Sequence, residues 1–443
     1  MKNILFIADS FMGGGLETRI IGQVNFLKKK KIPVYLICRE YSHSYDGTFD
    51  AVSDALQTHT STTSITAKNI LNDVNAICAF CKEHDIKYID CHPFWCTLPA
   101  ALAAEKLKIP ISFTLHGVIS ADFIDNKYTT AKTLYQLVFS YGFDRLFAVA
   151  EYLSDLYPYL PIKTILHNGF SASNIKNKKF QPTGNVAVVS RLDEVKTQLI
   201  IDFLPSLYEQ KVVKKIDIYG NGEYYNQLAD FINQNHYEDK ISLLGWEKDV
   251  SDKIYKSDYM AVFGMGRVIV ETIEAGVPAG VLGYGGFAGF VDHNNLIGFS
   301  KTNLTSWNKA KDSLEKEFNQ LFKMPDYYLF NKQDLSDFES ENIWKLYYET
   351  IISINHTEKV PSQTIAHYLE GHPDINILTD EELLLSCVRL LSDGSNPISP
   401  RLFYALFQKQ FDEICELKQQ VAELSTSIPK KIYHKIIKSR KTK

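Results

Sequence analysis

The chain has 443 residues, 45% of them apolar and 23% charged, with a formal net charge of −4. That is the composition of a globular protein with room for two domains and a tail, at roughly 150 residues per domain. Weak acidity argues against a nucleic-acid partner held by overall charge, and no apolar run reaches the roughly 18 to 20 residues that span a membrane. The opening MKNILFIADS is interrupted too soon by Asp9 to read as a secretory leader. Seven scattered cysteines are expected to be reduced thiols of a cytosolic chain.

Asn3–Ala8 is a nearly continuous apolar run, the pattern of a central parallel strand. It leads into Gly13, Gly14 and Gly15, then a helix with Ile20, Ile21, Val24 and Leu27 at helical spacing. That helix ends in Lys28–Lys31, where the dipole favours cations. Val34–Cys38 is a second strand, so the chain opens as βαβ. The turn is not G-x-G-x-x-G, which disfavours a nicotinamide site. Alternation continues with a helix over Ile70–Phe80, a strand over Tyr88–Cys91, a helix over Thr97–Leu107 and a strand over Ile111–Leu115. Leu146–Ala150 and Thr164–Leu166 are two further strands. His92 and His116 fall just past strand ends, the edge where open parallel sheets bind ligands. Cys78, Cys81, Cys91, His92 and Cys96 are the one group to test for zinc. Cys78 and Cys81 fall on an amphipathic helix rather than a knuckle, so no metal site is expected.

A second α/β series follows Gln181-Pro182-Thr183-Gly184. Its predicted elements are strand Asn185–Ser190, helix Gln198–Tyr208, strand Ile216–Tyr219 and helix Glu223–Asn235. Then come strand Ile241–Leu244 and a short helix, Val250–Tyr255. The stretch FGMGRVIVETIEAGVP, Phe263–Pro278, reads as strand end, glycine turn and helix start. Glycines let a backbone approach a ligand closely, and a helix start offers free N–H groups to an anion. Glu271 is expected in the first turn of that helix.

These motifs fall in the order of a known family: the chain resembles the GT-B-fold retaining glycosyltransferases of family 4. Gly14-Gly15-Leu16-Glu17 is similar to its G-G-x-E loop and Thr114-Leu115-His116-Gly117 to its histidine strand end. His167-Asn168-Gly169-Phe170 is similar to its hinge. Ser190-Arg191-Leu192 with Lys196 is similar to its G-R-L-x-x-x-K, and Tyr219-Gly220-Asn221-Gly222-Glu223 to its G-x-G turn. Leu244-Gly245-Trp246 is similar to a strand-end glycine. Glu271 with Gly276 and Pro278 is similar to the family's E-A-x-x-x-G-x-P. Phe263 stands where the family often has a first glutamate, and Gly264-Met265-Gly266-Arg267 looks like a G-x-G-R subgroup.

The resemblance implies two Rossmann-like parallel-sheet domains facing across a cleft. The boundaries expected are 1–172 for the acceptor-side domain and 173–337 for the nucleotide-sugar domain. A closing helix at 338–356 and a helical extension at 357–443 complete the chain. The implied reaction moves a sugar from a nucleotide-diphosphate sugar to an acceptor hydroxyl with retention, in bacterial-type cell-surface polysaccharide or lipopolysaccharide synthesis. Charge grows on the leaving diphosphate, so fixed cations and N–H dipoles must be aimed there. Arg191 supplies a fork of donors and Lys196 a compact charge. His116, Arg191 and Lys196 are the expected catalytic set, with His116 facing the donor sugar by its family position. Gly14, Gly15, Glu17, His92, Asn168, Gly222, Gly245, Trp246, Gly264, Gly266, Arg267 and Glu271 are the expected substrate-binding residues, Glu271 for the ribose. No D-x-D occurs in the chain, which with two cations favours a metal-independent site and no cofactor. Two other readings stay open. One is a GT-B epimerase or phosphorylase. The other is a non-catalytic sugar-nucleotide or partner-binding module, suggested by Phe263.

In the extension, Gln363–Leu369 and Glu381–Leu391 read as short helices. A longer one after Pro400 repeats apolar residues by threes and fours, either as a homodimeric coiled coil over 402–428 or as packing on the chain's own body. Residues 430–443 are basic with an apolar stripe at Ile432, Tyr433, Ile436 and Ile437, a pattern suited to an anionic membrane surface. The expected location is cytoplasmic, peripheral on the inner face of the cell membrane, with a glycan or lipid-linked acceptor and no nucleic acid.

Overall fold

The structure is a computed structural model and describes residues 2–57, 64–171, 173–247, 249–306 and 313–392. The first domain is built on β1 (Asn3–Ile7), β2 (Ser10–Phe11), β3 (Val34–Ile37), β4 (Glu40–Tyr41), β5 (Ala51–Ser53), β6 (Ile86–Cys91), β7 (Ile111–Leu115), β8 (Arg145–Ala148) and β9 (Ile162–Ile165). Seven of these form one parallel sheet in the order β5-β3-β1-β6-β7-β8-β9, and β2 pairs with β4 alone. The second domain carries β10 (Asn185–Val189), β11 (Lys215–Tyr219), β12 (Ile241–Gly245), β13 (Ala261–Gly264), β14 (Ala279–Gly283) and β15 (Gly286–Phe290). Their order is β12-β11-β10-β13-β14-β15, parallel except for β15. Both sheets are covered by helices. That is why β1, β7, β10 and β13 read as continuous apolar runs: their residues are nearly all buried.

The expected two-sheet GT-B plan is therefore present. Among the elements not foreseen are β5, β15, and the helices Thr129–Tyr141 and Leu314–Lys323. The first of these helices has a physical reason to hide. TTAKTLYQLVFSY buries Thr130, Ala131, Thr133, Leu134, Tyr135, Leu137, Val138 and Phe139, because it lies between the sheet and a later helix. A helix covered on two sides loses the polar face that makes its period visible.

The chain crosses back to the first domain in helix Ser340–Ser353, the expected closing helix. Trp344, Tyr347 and Ile351 pack among Ile20, Val24 and Tyr88. A side chain on Gly22 would meet the Trp344 ring at 3.2 Å, so glycine there sets how closely the two helices approach. Beyond it, helices Val360–Gly371 and Glu381–Ser392 are not an appendage. Ile365, Leu369, Ile377, Leu378, Leu383 and Cys387 are buried in the first domain's own core. The segment between them caps helix Ala67–Glu83. The N–H groups of Ala67 and Lys68 donate to the carbonyls of Ile375 (3.0 Å) and Pro373 (2.8 Å). One buried carboxylate fastens the crossing. Asp144 accepts from the backbone of Ile111 (2.9 Å), from Thr357 N–H (2.8 Å) and Oγ1 (2.6 Å), and from Lys359 Nζ (2.9 Å). The expected coiled coil at 402–428 and basic segment at 430–443 lie outside the described residues.

Among the described residues no helix is long and apolar enough to cross a membrane.

Candidate functional site

The C-terminal edges of the two parallel sheets face each other. From the first domain come the loop after β1 with Gly13–Gly15, His92 after β6 and His116 after β7. From the second come Gly245 after β12, Gly220 after β11, Ser190-Arg191 after β10 and Gly264–Gly266 after β13. Contacts across the divide fix the facing. A side chain on Gly15 would meet Arg267 Cβ at 3.8 Å. Tyr152 N–H donates to the Lys301 carbonyl (3.1 Å), and Asn168 Nδ2 donates to Asn303 Oδ1 (2.7 Å).

β10 and β13 are hydrogen-bonded neighbours, Val188 opposite Phe263. The Arg191 loop and the Gly266 helix start therefore leave adjacent strands, spaced ~5 Å apart. Helix Glu194–Tyr208 begins four residues before its expected start and puts Lys196 in its first turn rather than in a loop. Its N-cap is Asp193, whose Oδ1 accepts from Lys196 N–H at 3.0 Å. The same carboxylate accepts from Arg191 Nε (3.1 Å), and its Oδ2 lies 3.3 Å from Lys196 Nζ. Burial pushes the Asp193 carboxyl up, but the Lys196 backbone bond and both cations outweigh it and hold it below the usual range. Burial, with Arg191 beside it, draws the Lys196 ammonium below its ordinary value while Asp193 opposes. Arg191 is 73% exposed and Lys196 only 21%. The result is a largely covered cation and an exposed one sharing a carboxylate.

Asp193 is the site residue that motif reading missed. Its signal is the N-cap position itself: an aspartate just before a helix, three residues ahead of the lysine.

Gly220 and Gly222 have a packing task, beside the ligand contact expected of Gly222. A Cβ at either would lie 1.9 Å from the Ser190 carbonyl oxygen or 2.3 Å from that of Leu192. The turn is glycine so that the Arg191 loop can lie against it. Gly245 accepts from Gly220 N–H (2.8 Å) and has φ +74°, while Trp246 beyond it is 67% exposed.

Gly266 caps helix Arg267–Glu274 with φ +60°, a conformation that glycine adopts without strain. Its N–H is already bonded to the Leu304 carbonyl (2.8 Å), so the helix start offers a ligand the N–H groups of Arg267 and Val268. The helix starts one residue earlier than expected, which puts Glu271 just past its first turn, where dipole stabilisation falls off. Burial raises its pKa, and Arg267 Nε at 3.3 Å opposes that rise. Arg267, expected to bind substrate, is already engaged by the protein. It donates to the Gly169 carbonyl of the hinge (3.2 Å) and lies 4.0 Å from Glu274.

On the facing edge, Gly14 caps helix Gly15–Lys29 and Glu17 is buried in its first turn. Asn168 joins the domains, accepting from Arg19 Nη1 (3.0 Å) while donating to Asn303. His116 is half-buried at the end of β7. His92 is fully buried and so not placed for the direct substrate contact expected of it; its Nδ1 lies 2.8 Å from His116 Nε2. Phe263 sits inside β13 with its ring among Phe203, Phe287, Phe290 and Phe318, at centroid distances of 5.1 to 6.3 Å. Among the described residues no cluster of three or more His, Cys, Asp or Glu is placed to hold a metal ion.

Comparison with known proteins agrees with this fold. The family model for glycosyltransferase family 4 matches residues 13–173, and that for glycosyl transferases group 1 matches 172–329. No curated protein matches the sequence significantly. Among solved structures, Anabaena HepE in complex with UDP-glucose aligns with a TM-score of 0.59 at 16% identity, over 80% of this chain and 100% of that one. The apo lipopolysaccharide outer core galactosyltransferase WaaB aligns with a TM-score of 0.56 at 13% identity, over 80% and 99%. Sucrose-phosphate synthase from Thermosynechococcus elongatus aligns with a TM-score of 0.59 at 11% identity, over 80% and 100%. With both halves matched in order by family models that together span more than two thirds of its length, this chain belongs to the GT-B glycosyltransferases of the family 4 type.

Proposed function

We propose that this glycosyltransferase moves a sugar from a nucleoside-diphosphate donor to an acceptor hydroxyl with retention of configuration and without a metal ion, in building a cell-surface glycan. The observation that carries the donor site is the Arg191–Asp193–Lys196 cluster, set on the strand next to the open start of helix Arg267–Glu274. A diphosphate there meets two cations and the N–H groups of Arg267 and Val268. As the scissile bond breaks, charge moves onto its oxygens, and Lys196, held within the first turn of its helix, is aimed before the reaction begins. Glu271 accepts from the ribose hydroxyls while it stays paired with Arg267. His116 meets the donor sugar from the facing edge, and Gly14 and Gly15 close over the phosphates. The likeness to a protein solved with UDP-glucose supports beginning a donor panel with uridine sugars. The basic segment 430–443 would hold the enzyme on the anionic inner face of the cell membrane, beside a lipid-linked acceptor.

The test is Lys196→Ala, assayed by release of nucleoside diphosphate with and without acceptor. Losing one donor to the developing charge costs about 3 to 4 kcal/mol, roughly a hundredfold or more in turnover. Arg191→Ala should cost less, about tenfold, because an exposed cation is screened. Full activity should survive a chelator. Turnover of Lys196→Ala within about threefold of the parent would refute the site, and a strict need for added divalent ion would refute the metal-independent reading.

A further inference from the structure

His92 and His116 follow neighbouring strands of the first sheet, β6 and β7. The His92 backbone N–H donates to the Ile7 carbonyl at 2.8 Å, and its ring stacks on Phe6 with centroids 6.0 Å apart. The ring therefore has fixed neighbours on one face and at its base. Its two nitrogens face two different groups. Nδ1 lies 2.8 Å from His116 Nε2, and Nε2 lies 3.9 Å from Asp90 Oδ1. Asp90 is fully buried and accepts from Ser112 Oγ (2.9 Å), Tyr347 OH (2.6 Å) and Gln23 Nε2 (3.3 Å). Other titratable or charged groups here are Arg19 from helix Gly15–Lys29, Tyr88 from β6, and the thiols of Cys91 and Cys96, which donate to the His92 carbonyl at 3.5 and 3.2 Å.

Burial, with Arg19 adding to it, keeps His92 neutral, its pKa lowered to about 3. Burial first, then His92 and Arg19, take His116 well below its ordinary value. Two neutral imidazoles 2.8 Å apart share one proton, and it can belong to either ring. If it belongs to His92 Nδ1, then His92 Nε2 turns a bare lone pair toward the Asp90 carboxylate. If it belongs to His116 Nε2, then His92 carries its own proton on Nε2, facing that carboxylate. The negative charge of Asp90 favours the second arrangement. His116 Nδ1, the nitrogen not engaged with His92, is then an acceptor.

We infer that His92 is a positioning residue for His116: held between Asp90 and His116, it fixes the tautomer in which His116 offers a lone pair at Nδ1 to a hydroxyl of the donor sugar. The inference rests on the reading that His116 meets that sugar, and its two tests fail separately from it.

The first test needs no activity. Long-range proton–nitrogen correlation on histidine-labelled full-length protein at pH 7.5, with His116 identified by His116→Gln, reads the tautomer directly. The expected result is His116 protonated at Nε2 and bare at Nδ1; protonation at Nδ1 overturns the inference. The second test compares His92→Phe, which keeps the ring against Phe6 but removes the acceptor, with His92→Asn, whose amide oxygen can accept at nearly the Nδ1 position. With UDP-glucose as probe, His92→Phe should lose at least tenfold in kcat/KM while its Kd for UDP alone stays within twofold of the parent. His92→Asn should recover most of that loss. Equal loss of UDP affinity and sugar transfer would mean a purely structural role and overturn the proposal, as would His92→Asn being as impaired as His92→Phe. A parent that binds UDP but gains nothing from the sugar would overturn the role of His116 and this inference with it.

Discussion

Lys359 is the strongest single test of whether the extension belongs to the first domain. Its Nζ is 2.9 Å from Asp144 Oδ1 and 2.7 Å from the Thr357 carbonyl, with both charged side chains nearly sealed from solvent, at 3% and 2% exposure. Lys359→Met keeps the stem and removes the charge, leaving the Asp144 carboxylate buried. Breaking one side of a buried pair costs about 3 to 5 kcal/mol. Three donors remain on Asp144, two from Thr357 and one from Ile111, so the low end, about 3 kcal/mol, applies. For a domain of this size each kcal/mol moves Tm by about 2 to 4 °C, so the first domain's transition should fall by roughly 6 to 12 °C. The double variant Lys359→Met with Asp144→Asn should recover part of that fall, because the stranded charge is gone. Its cycle should give a coupling of at least about 1.5 kcal/mol. The assay is differential scanning calorimetry, with nucleotide binding as a control on the second domain. A fall of less than about 2 °C, or strict additivity, would show that the clamp and the docking it represents are not what stabilises the domain.

Two further expectations concern the motif departure and the tail. Phe263→Glu should not restore a second site carboxylate: it buries a charge among four aromatic rings and should leave the protein insoluble, whereas Phe263→Ala should fold with a loss of about 3 to 5 kcal/mol. A soluble Phe263→Glu protein with raised activity would sink that reading. The full chain should co-sediment with anionic vesicles in a salt-sensitive way, and a chain ending at Ser427 should not; equal binding by both would remove the membrane role from residues 430–443.

The sheets were legible because strands covered on both faces leave continuous apolar runs, as in β1 and β13, and glycines mark the turns at their ends. What those turns do was less legible. Gly222 reads as a ligand contact, yet its missing side chain makes room for the Leu192 carbonyl, a contact between loops 30 residues apart that no local pattern encodes. Arg267 reads as a substrate-binding residue, but a hinge carbonyl from Gly169 and the carboxylate of Glu271 already engage it. The extension's helices could be read from their spacing, but not the surface they cover, because Ile65 and Ile377 meet only in the folded chain.

Asp193 changes the electrostatics that the motif implies. Two cations sharing one carboxylate carry a net charge of one, less than a diphosphate brings. On the proposed reading, an incoming diphosphate competes with Asp193 for Arg191, the exposed partner. Lys196 cannot turn as freely, since its backbone is capped by the same aspartate. The proposed reading therefore has Lys196 in place before binding and Arg191 recruited by it. The rest of the required positive potential has to come from the backbone N–H groups of Arg267 and Val268 and from the Gly14–Gly15 helix start on the facing domain. On the proposed reading the site draws its field from both domains, so its full strength requires the two edges to meet the donor together.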